Sequence, residues 1–457
     1  MNEQINALLD SWKGDYTEMI KRWLSVPSLK AAPLPDAPFG SEVRRMLDMA
    51  MQDAADMGFA TRIFEGYAGD VTLPAQDPQA EEIAVLAHLD VVPAGDGWNT
   101  DPFTPTQIGD RIYARGTGDD KGPALASLFA MKAIKTCGIP LKRSIKLILG
   151  CDEESGWEDM DYYTAHAKMP AIGFSPDATF PLINTEKGML GVHAHAALAK
   201  EGLQVLELKT GERTNVIPGE SVAVVAGGDE IVEKTRAYAE KTGLSYAAEK
   251  TEGGVRLTAT GIPGHSAYPE GCRNAIGMML LLLRELGVQG PLLTLANVYG
   301  MEHDGQSLGI ACADEISGPL TCNMGILHVE GDQVKCTFDN RCPVNADLEK
   351  LKDTLIAHLP EFTIDHASTT APHHVPADSE LVTSLLAAYT EESGLTGAPE
   401  STGGGTYAKV LEQGVAFGAG FPDDEDLAHQ ANEYLILDKM ILAAKIYANA
   451  LLRLCAA

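Results

Sequence analysis

EEIAVLAHLDVV, Glu81–Val92, decides how this chain is read. Five apolar residues, Ile83–Ala87, run straight into His88 and Asp90. A continuous apolar run suits a strand covered on both faces, as in a parallel sheet between helices. Residues i and i+2 of a strand share a face, so His88 and Asp90 project together at its carboxyl end. Ligand sites of parallel α/β sheets form just outside such ends. Alone, the pair has a plainer explanation: two polar side chains that satisfy each other.

The neighbouring segments extend the pattern. DRIYARGTG (Asp110–Gly118) and RSIKLILGCDEES (Arg143–Ser155) are short and rich in β-formers, while GPALASLFAMKAIKTCG (Gly122–Gly138) has helical spacing. Asn2–Leu24 and Ser41–Met57 are helical in the same way. Strands alternating with helices predict an α/β fold with a mostly parallel sheet. From about Thr185 the texture changes to an α+β mixture, LQVLELKTG, ESVAVVAGG, DEIVEKTRAYAEKTG, GGVRLTATGIPG and NAIGMMLLLLREL. After TTAPHHVPADSE the α/β texture returns. The expectation is a larger domain made of residues 1–184 and 375–457, interrupted by an inserted α+β domain of residues 185–374.

Composition narrows the partners. With 35 basic and 64 acidic residues the 457-residue chain carries a formal charge of −29. Such a surface repels phosphate backbones, which argues against nucleic acid. The longest apolar run, GMMLLLL, is far short of the about 20 residues that cross a membrane, so no membrane association is expected. The polar, acidic N-terminus reads as neither a signal nor a transit peptide. Eight scattered cysteines without a CxxC read as reduced thiols, which points to the cytoplasm.

Other acids occupy settings like that of His88. ARGTGDDKGP places Asp119 and Asp120 in a Gly-rich turn before a helix, where aspartate is favoured as turn and cap residue anyway. LILGCDEESG ends an apolar strand with Asp152, Glu153 and Glu154, a concentration of like charge that calls for a neutralising cation. IGFSPDATFP brings Asp177 to the end of another apolar run, and DLAHQANEY carries His429 before the last helix. Taken together, His88, Asp119, Glu154, Asp177 and His429 offer nitrogen and oxygen donors without thiolate. That set suits hard or borderline divalent ions, and its size suits two of them sharing a carboxylate.

HLDVVPAGDGW, RGTGDDKGP, DEESGW, GHSAYPEG and AHQANEY, in this order, resemble the co-catalytic di-zinc metallopeptidases related to aminoacylase, carboxypeptidase G and succinyl-diaminopimelate desuccinylase. Within them the chain is most similar to the bacterial Xaa-His dipeptidase branch, the dipeptidase V and carnosinase-like enzymes. The resemblance implies a phosphorylase/hydrolase-like catalytic domain with an inserted lid. It implies two divalent metals, zinc with manganese or cobalt as alternatives. His88 and Asp177 would hold one, Glu154 and His429 the other, and Asp119 would bridge them. Asp90 would orient His88, and Glu153 would act as general base and acid towards metal-bound hydroxide. The peptide between Asp119 and Asp120 would be cis.

The resemblance also implies substrate groups. His265 would stabilise the oxyanion, Arg341 of FDNRCPV would hold a substrate carboxylate, and Asn215 of RTNVIPGE would add a further contact. Gly403, Gly404 and Gly405 of STGGGTYAK would bring backbone N–H groups to an anion. A tyrosine often follows the family arginine, whereas Cys342 stands here, which bears on pocket shape rather than catalysis. Aspartate rather than glutamate at 177 goes with substrates that have a free amino terminus. The implied activity is hydrolysis of unblocked dipeptides, of Xaa-His or β-Ala-His type, by a monomer, with a homodimer as the alternative. An N-acyl amino acid amidohydrolase and a non-catalytic peptide-binding protein are the competing readings. The presence of Glu153 weighs against the last, since binding needs no base.

Overall fold

The computed structural model describes residues 2–425 and 427–457. Contacts divide the chain into two compact units, Met1–Asn184 with His374–Glu400 and Gly405–Ala457, and Thr185–His373 with Ser401–Gly404.

The first unit is built on a sheet whose centre is parallel. Ser144–Gly150, Glu82–His88, Ile172–Ser175 and Gln413–Ala416 lie side by side, all parallel, and Ala60–Phe64 and Ala68–Leu73 extend one flank antiparallel. Side chains alternate across Glu82–His88. Ile83, Val85 and Ala87 join the core shared with the helices Asn2–Ser11, Lys13–Leu24, Lys121–Thr136 and Leu437–Cys455. Ala84 and Leu86 pack on the other face with Ile148, Met160, Tyr163, Tyr407 and Leu411. Both faces are dry, which is why the strand is written as one apolar run. His88 pairs in register with Gly150, so the strand ends at 88, 150 and 175 fall along one edge of the sheet. The loops that follow carry Asp90, Glu153, Glu154 and Asp177.

Two contacts fix that edge. Buried Lys121 donates to the carbonyls of Trp23 (3.2 Å) and Val26 (2.7 Å). It caps the C-terminal end of Lys13–Leu24, where free carbonyls and the helix dipole favour a cation. Buried Asp159, at the start of the helix Glu158–His166, accepts the backbone N–H of Cys151 (2.6 Å), Asp152 (3.0 Å) and Met160 (2.7 Å) and the hydroxyl of Tyr407. The turn that presents Glu153 and Glu154 is thereby held from below.

The second unit is an antiparallel eight-stranded sheet. Its order is Ser245–Thr251, Gly254–Thr260, Glu220–Val225, Val205–Thr210, Thr321–Glu330, Gln333–Cys342, Gly188–Ala197 and Thr363–Thr370. In Gly188–Ala197 alternate residues Leu190, Val192 and Ala194 enter the core, while His193 and His195 face outward. The apolar helix Ala275–Glu285 is capped by Asn274, whose Oδ1 accepts from Ile276 N at 2.8 Å. Its Nδ2 reaches Tyr299, Asn323 and Met324. The run GMMLLLL is thus core, and no described helix is long and apolar enough to cross a membrane.

Packing and burial in the first unit can be tested by substitution. A Cβ on Gly173 would stand 2.2 Å from the carbonyl oxygen of Ala84 on the adjoining strand. Gly173→Ala is therefore expected to lower the unfolding free energy by about 1–3 kcal/mol. Gly14→Ala, on an exposed helix face with nothing within 4 Å, should raise it by up to about 1 kcal/mol. Urea unfolding of both variants beside the parent tests the pair. The second prediction concerns Asp159, whose carboxyl burial pushes up to about 6 against the hydrogen bonds of Tyr407 and Cys151. Folding then favours its protonated form. The stability it contributes is complete below the unfolded value near pH 4 and is lost as pH rises through 6, a loss of about 3 kcal/mol. Asp159→Asn lacks this titration. Between pH 4 and 7 the difference between variant and parent should shift by about that amount in the variant's favour. Parallel stability curves would contradict the assignment.

Candidate metal centre

At the edge formed by strand ends 88, 150 and 175, six predicted residues come together: His88, Asp119, Glu153, Glu154, Asp177 and His429. Ligand atoms of His88, Glu153 and Asp177 lie within 4.8 Å of one another, and so do those of His88, Asp119 and Glu154. The two oxygens of Asp119 face different imidazoles. Oδ1 is 2.9 Å from His88 Nε2, and Oδ2 is 3.0 Å from His429 Nε2. His429 also lies 3.0 Å from Glu154 Oε2, and His88 Nε2 lies 3.7 Å from Asp177 Oδ2. The Asp119–Asp120 peptide is cis. His429 sits at φ 63°, in the left-handed region that few side chains other than Asn, Asp and His visit.

The electrostatics are those of crowded carboxylates. Burial, joined by the nearby charges of Asp177 and Glu154, pushes Glu153 well above the ordinary carboxylate range. Burial and Asp119 raise Asp177 to about 7 and also raise Glu154. Asp119 goes the other way. Burial opposes its charge, yet the imidazoles of His429 and His88 beside it hold it far below the usual range. His429, bound to Asp119 and Glu154, is raised to about 10. His88 is raised as well, because Asp119 and Asp90 outweigh the burial that would discharge it.

The donor set fits divalent cations. It comprises imidazole nitrogens and carboxylate oxygens. The nearest thiol in sequence, Cys151, is held protonated by burial. The buried Nε2 of His88 has Asp119 Oδ1 at 2.9 Å but makes no hydrogen bond with it, which leaves a buried ligand nitrogen for a cation.

The surrounding contacts go beyond the sequence reading. Asp90 accepts the backbone N–H of Glu153 (3.2 Å) and of Glu154 (3.1 Å) on its two carboxylate oxygens. His88 Nδ1 lies 3.0 Å from the Asp90 carbonyl and 3.4 Å from its carboxylate. Asp90 therefore ties the glutamate turn to the histidine strand and, through its main chain, steers the ring. Of the three consecutive acids, Asp152 has its own cation, Lys30 at 2.7 Å. Asp120 accepts the His88 N–H at 3.1 Å.

The remaining predicted residues, apart from Gly405, belong to the second unit. Val216 pairs with His265, which brings Asn215 Nδ2 to 3.4 Å from His265 Nε2. Ala267 N–H donates to His265 Nδ1 at 3.2 Å. Arg341 is more committed than the sequence reading supposes. Its Nε (3.1 Å) and Nη2 (3.0 Å) donate to Asp339 Oδ2 and its Nη1 to the Gly403 carbonyl (2.7 Å). Ser266 bonds the same Asp339 oxygen. Gly403 is packed so closely that a Cβ would stand 2.6 Å from that of Ala267. The Gly404 N–H donates to Thr402 Oγ1 at 3.0 Å, and Thr402 is bonded in turn by Tyr268 at 2.6 Å.

"Putative dipeptidase YtjP" of Bacillus subtilis is 36% identical over 432 residues, covering 92% of each chain. The crystal structure of human carnosine dipeptidase 1 superposes with a TM-score of 0.58 at 16% identity, covering 99% of both chains. That of the di-peptidase Dug1p of Saccharomyces cerevisiae gives 0.61 at 15%, covering 99% and 98%. The shared architecture is an α/β domain interrupted by an α+β domain. The sequence model of peptidase family M20/M25/M40 matches residues 84–453, the span that holds every residue of the centre. The chain belongs to that family of metallopeptidases.

Proposed function

We propose that the protein is a metal-dependent dipeptidase that cleaves unblocked dipeptides, with Xaa-His or β-Ala-His among its substrates. The observation that carries the reading is Asp119, whose two oxygens face His88 and His429 as a bridging carboxylate's would. His88 and Asp177 would hold one divalent ion and Glu154 and His429 the other. Zinc is the first choice, with manganese or cobalt as alternatives. The pair would supply Lewis-acid polarisation and a water made acidic enough to lose a proton near neutral pH. Glu153 would take that proton and deliver it to the leaving amine as the carbonyl carbon gains an oxygen and the C–N bond breaks. Burial suits it to hold the proton between the two steps.

His265 would stabilise the developing oxyanion, and Asn215, 3.4 Å from its ring, would add a further contact. Arg341 and the glycine loop would receive the substrate carboxylate. Since Asp339 occupies the Nε–Nη2 edge of Arg341, the contact would use Nη1 together with the loop it anchors. The short side chain of Asp177 would leave room for a substrate ammonium group. The protein would work as a monomer, and its eight free cysteines fit a reducing compartment such as the cytoplasm.

Chelation should abolish hydrolysis of Ala-His and β-Ala-His, and zinc, manganese or cobalt added back singly should restore it. N-acetyl amino acids should stay intact; turnover of these alone would make the enzyme an amidohydrolase. Glu153→Ala should cut kcat by at least about 100-fold while metal content, read by atomic emission, is unchanged.

A further inference from the structure

The turn bearing Asp119, the loop after His88 and the loop bearing His429 converge on one buried ion pair, Arg115–Glu433. Arg115 is 1% exposed and Glu433 2%. Glu433 Oε2 accepts Arg115 Nη1 (2.7 Å) and Gly116 N (3.1 Å). Oε1 accepts Gly118 N (2.8 Å), Thr117 Oγ1 (3.1 Å) and, more weakly, Asp119 N (3.4 Å). One carboxylate thus gathers the donors of the turn that ends in Asp119.

Arg115 reaches the other two loops. Nη2 donates to the carbonyls of Ala94 (3.1 Å) and Pro93 (3.4 Å), and Nη1 also donates to Gln430 O (3.2 Å), the residue after His429. The guanidinium lies 5.3 Å from the Trp98 ring, whose Nε1 bonds Ala94 O at 2.8 Å. Asn432 adds a second tie, accepting Asn99 N (2.7 Å) and donating to Gly97 O (3.1 Å). His429 and Asn432 both have positive φ, at 63° and 64°. A loop with two such residues needs outside contacts to keep one shape.

Stability alone does not account for the pair. A buried ion pair is often no more stabilising than apolar residues of equal volume. What an apolar pair cannot do is satisfy donors and acceptors from three loops at once. We infer that Arg115 and Glu433 are positioning residues that set the spacing of Asp119 and His429 relative to His88, and so determine the affinity of the metal pair. This rests on the metal centre proposed above.

Metal affinity of Glu433→Gln, measured by competition with a chromogenic chelator for zinc, is expected to fall about 10–100-fold. The visible absorption of the cobalt-loaded protein should change with it, since that band reports ligand geometry. Arg115→Lys keeps the charge but cannot fork to all three loops, and it should lose affinity to a similar degree. It also serves as the test should Glu433→Gln fail to fold. Asp53→Asn is the control. It breaks another buried network, in which Asp53 accepts from Arg22 and Trp23 at 2.8 Å each, and should lower the melting temperature while leaving zinc affinity unchanged. Affinities within twofold of the parent in the folded Glu433 and Arg115 variants would overturn the inference. Equal loss in all three variants would overturn it too, as a general effect of destabilisation. A parent that binds no divalent metal would sink the metal-centre reading itself.

Discussion

Like-charge crowding at the carboxyl edge of one parallel sheet is the constraint that organises this molecule. Glu153 and Asp177 approach within 4.8 Å, as do Asp119 and Glu154, in largely buried surroundings. At that separation, and at the effective dielectric usual for protein sites, each ionised pair costs about 3–4 kcal/mol. Two imidazoles offset part of it, which is why His429 is driven up and Asp119 down. A scaffold that keeps so many acids close must hold their backbone by means other than mutual attraction. The carboxylate turns are accordingly fastened through main-chain N–H groups: Asp90 grips those of Glu153 and Glu154, Asp159 those of Cys151 and Asp152, and Glu433 those of Gly116 and Gly118.

That division of labour explains why acidic residues occur at two depths. The outer acids present oxygens to the shared space. The inner ones present oxygens to backbone donors and take their charge balance elsewhere, Asp152 from Lys30 and Glu433 from Arg115. Hydrogen bonds from several donors favour the ionised form of an inner acid, while burial opposes it. For Asp159 burial wins; its pKa stands near 6.

The outer acids and Asp90 were legible in the sequence, and the distant partnerships that hold the inner acids were not, for a physical reason. Apolar runs that stop at His88, at Gly150 and near Asp177 mark the ends of strands dry on both faces, and chemistry at such ends is a local signal. The partnerships Lys30–Asp152, Asp159–Tyr407 and Arg115–Glu433 join residues 122, 248 and 318 positions apart in the first, second and third cases. At each of these positions the local residues have an ordinary explanation as turn, cap or surface charge. Nor does an apolar run reveal strand direction, so the antiparallel flank Ala60–Leu73 lay beyond a reading that expected a mostly parallel sheet. One missed contact was available. Asp339 and Arg341 stand two apart on the strand Gln333–Cys342 and share a face, the same rule that paired His88 with Asp90.

The Asp339–Arg341 contact bears on how a carboxylate-binding site can be built from an arginine. A free guanidinium would have several rotamers to surrender on binding. Here Asp339 fixes its plane, Ser266 fixes Asp339, and the Gly403 carbonyl fixes Nη1. The cost is a donor edge no longer open to ligand; the gain is a charge already ordered, so less side-chain entropy is lost on binding. The absence of a side chain on Gly403 allows its backbone to press against Ala267. The residues that the resemblance assigns to substrate thus form a network with its own internal order, as the residues assigned to metal do. In both, second-rank contacts to the main chain set the shape that the reactive side chains present.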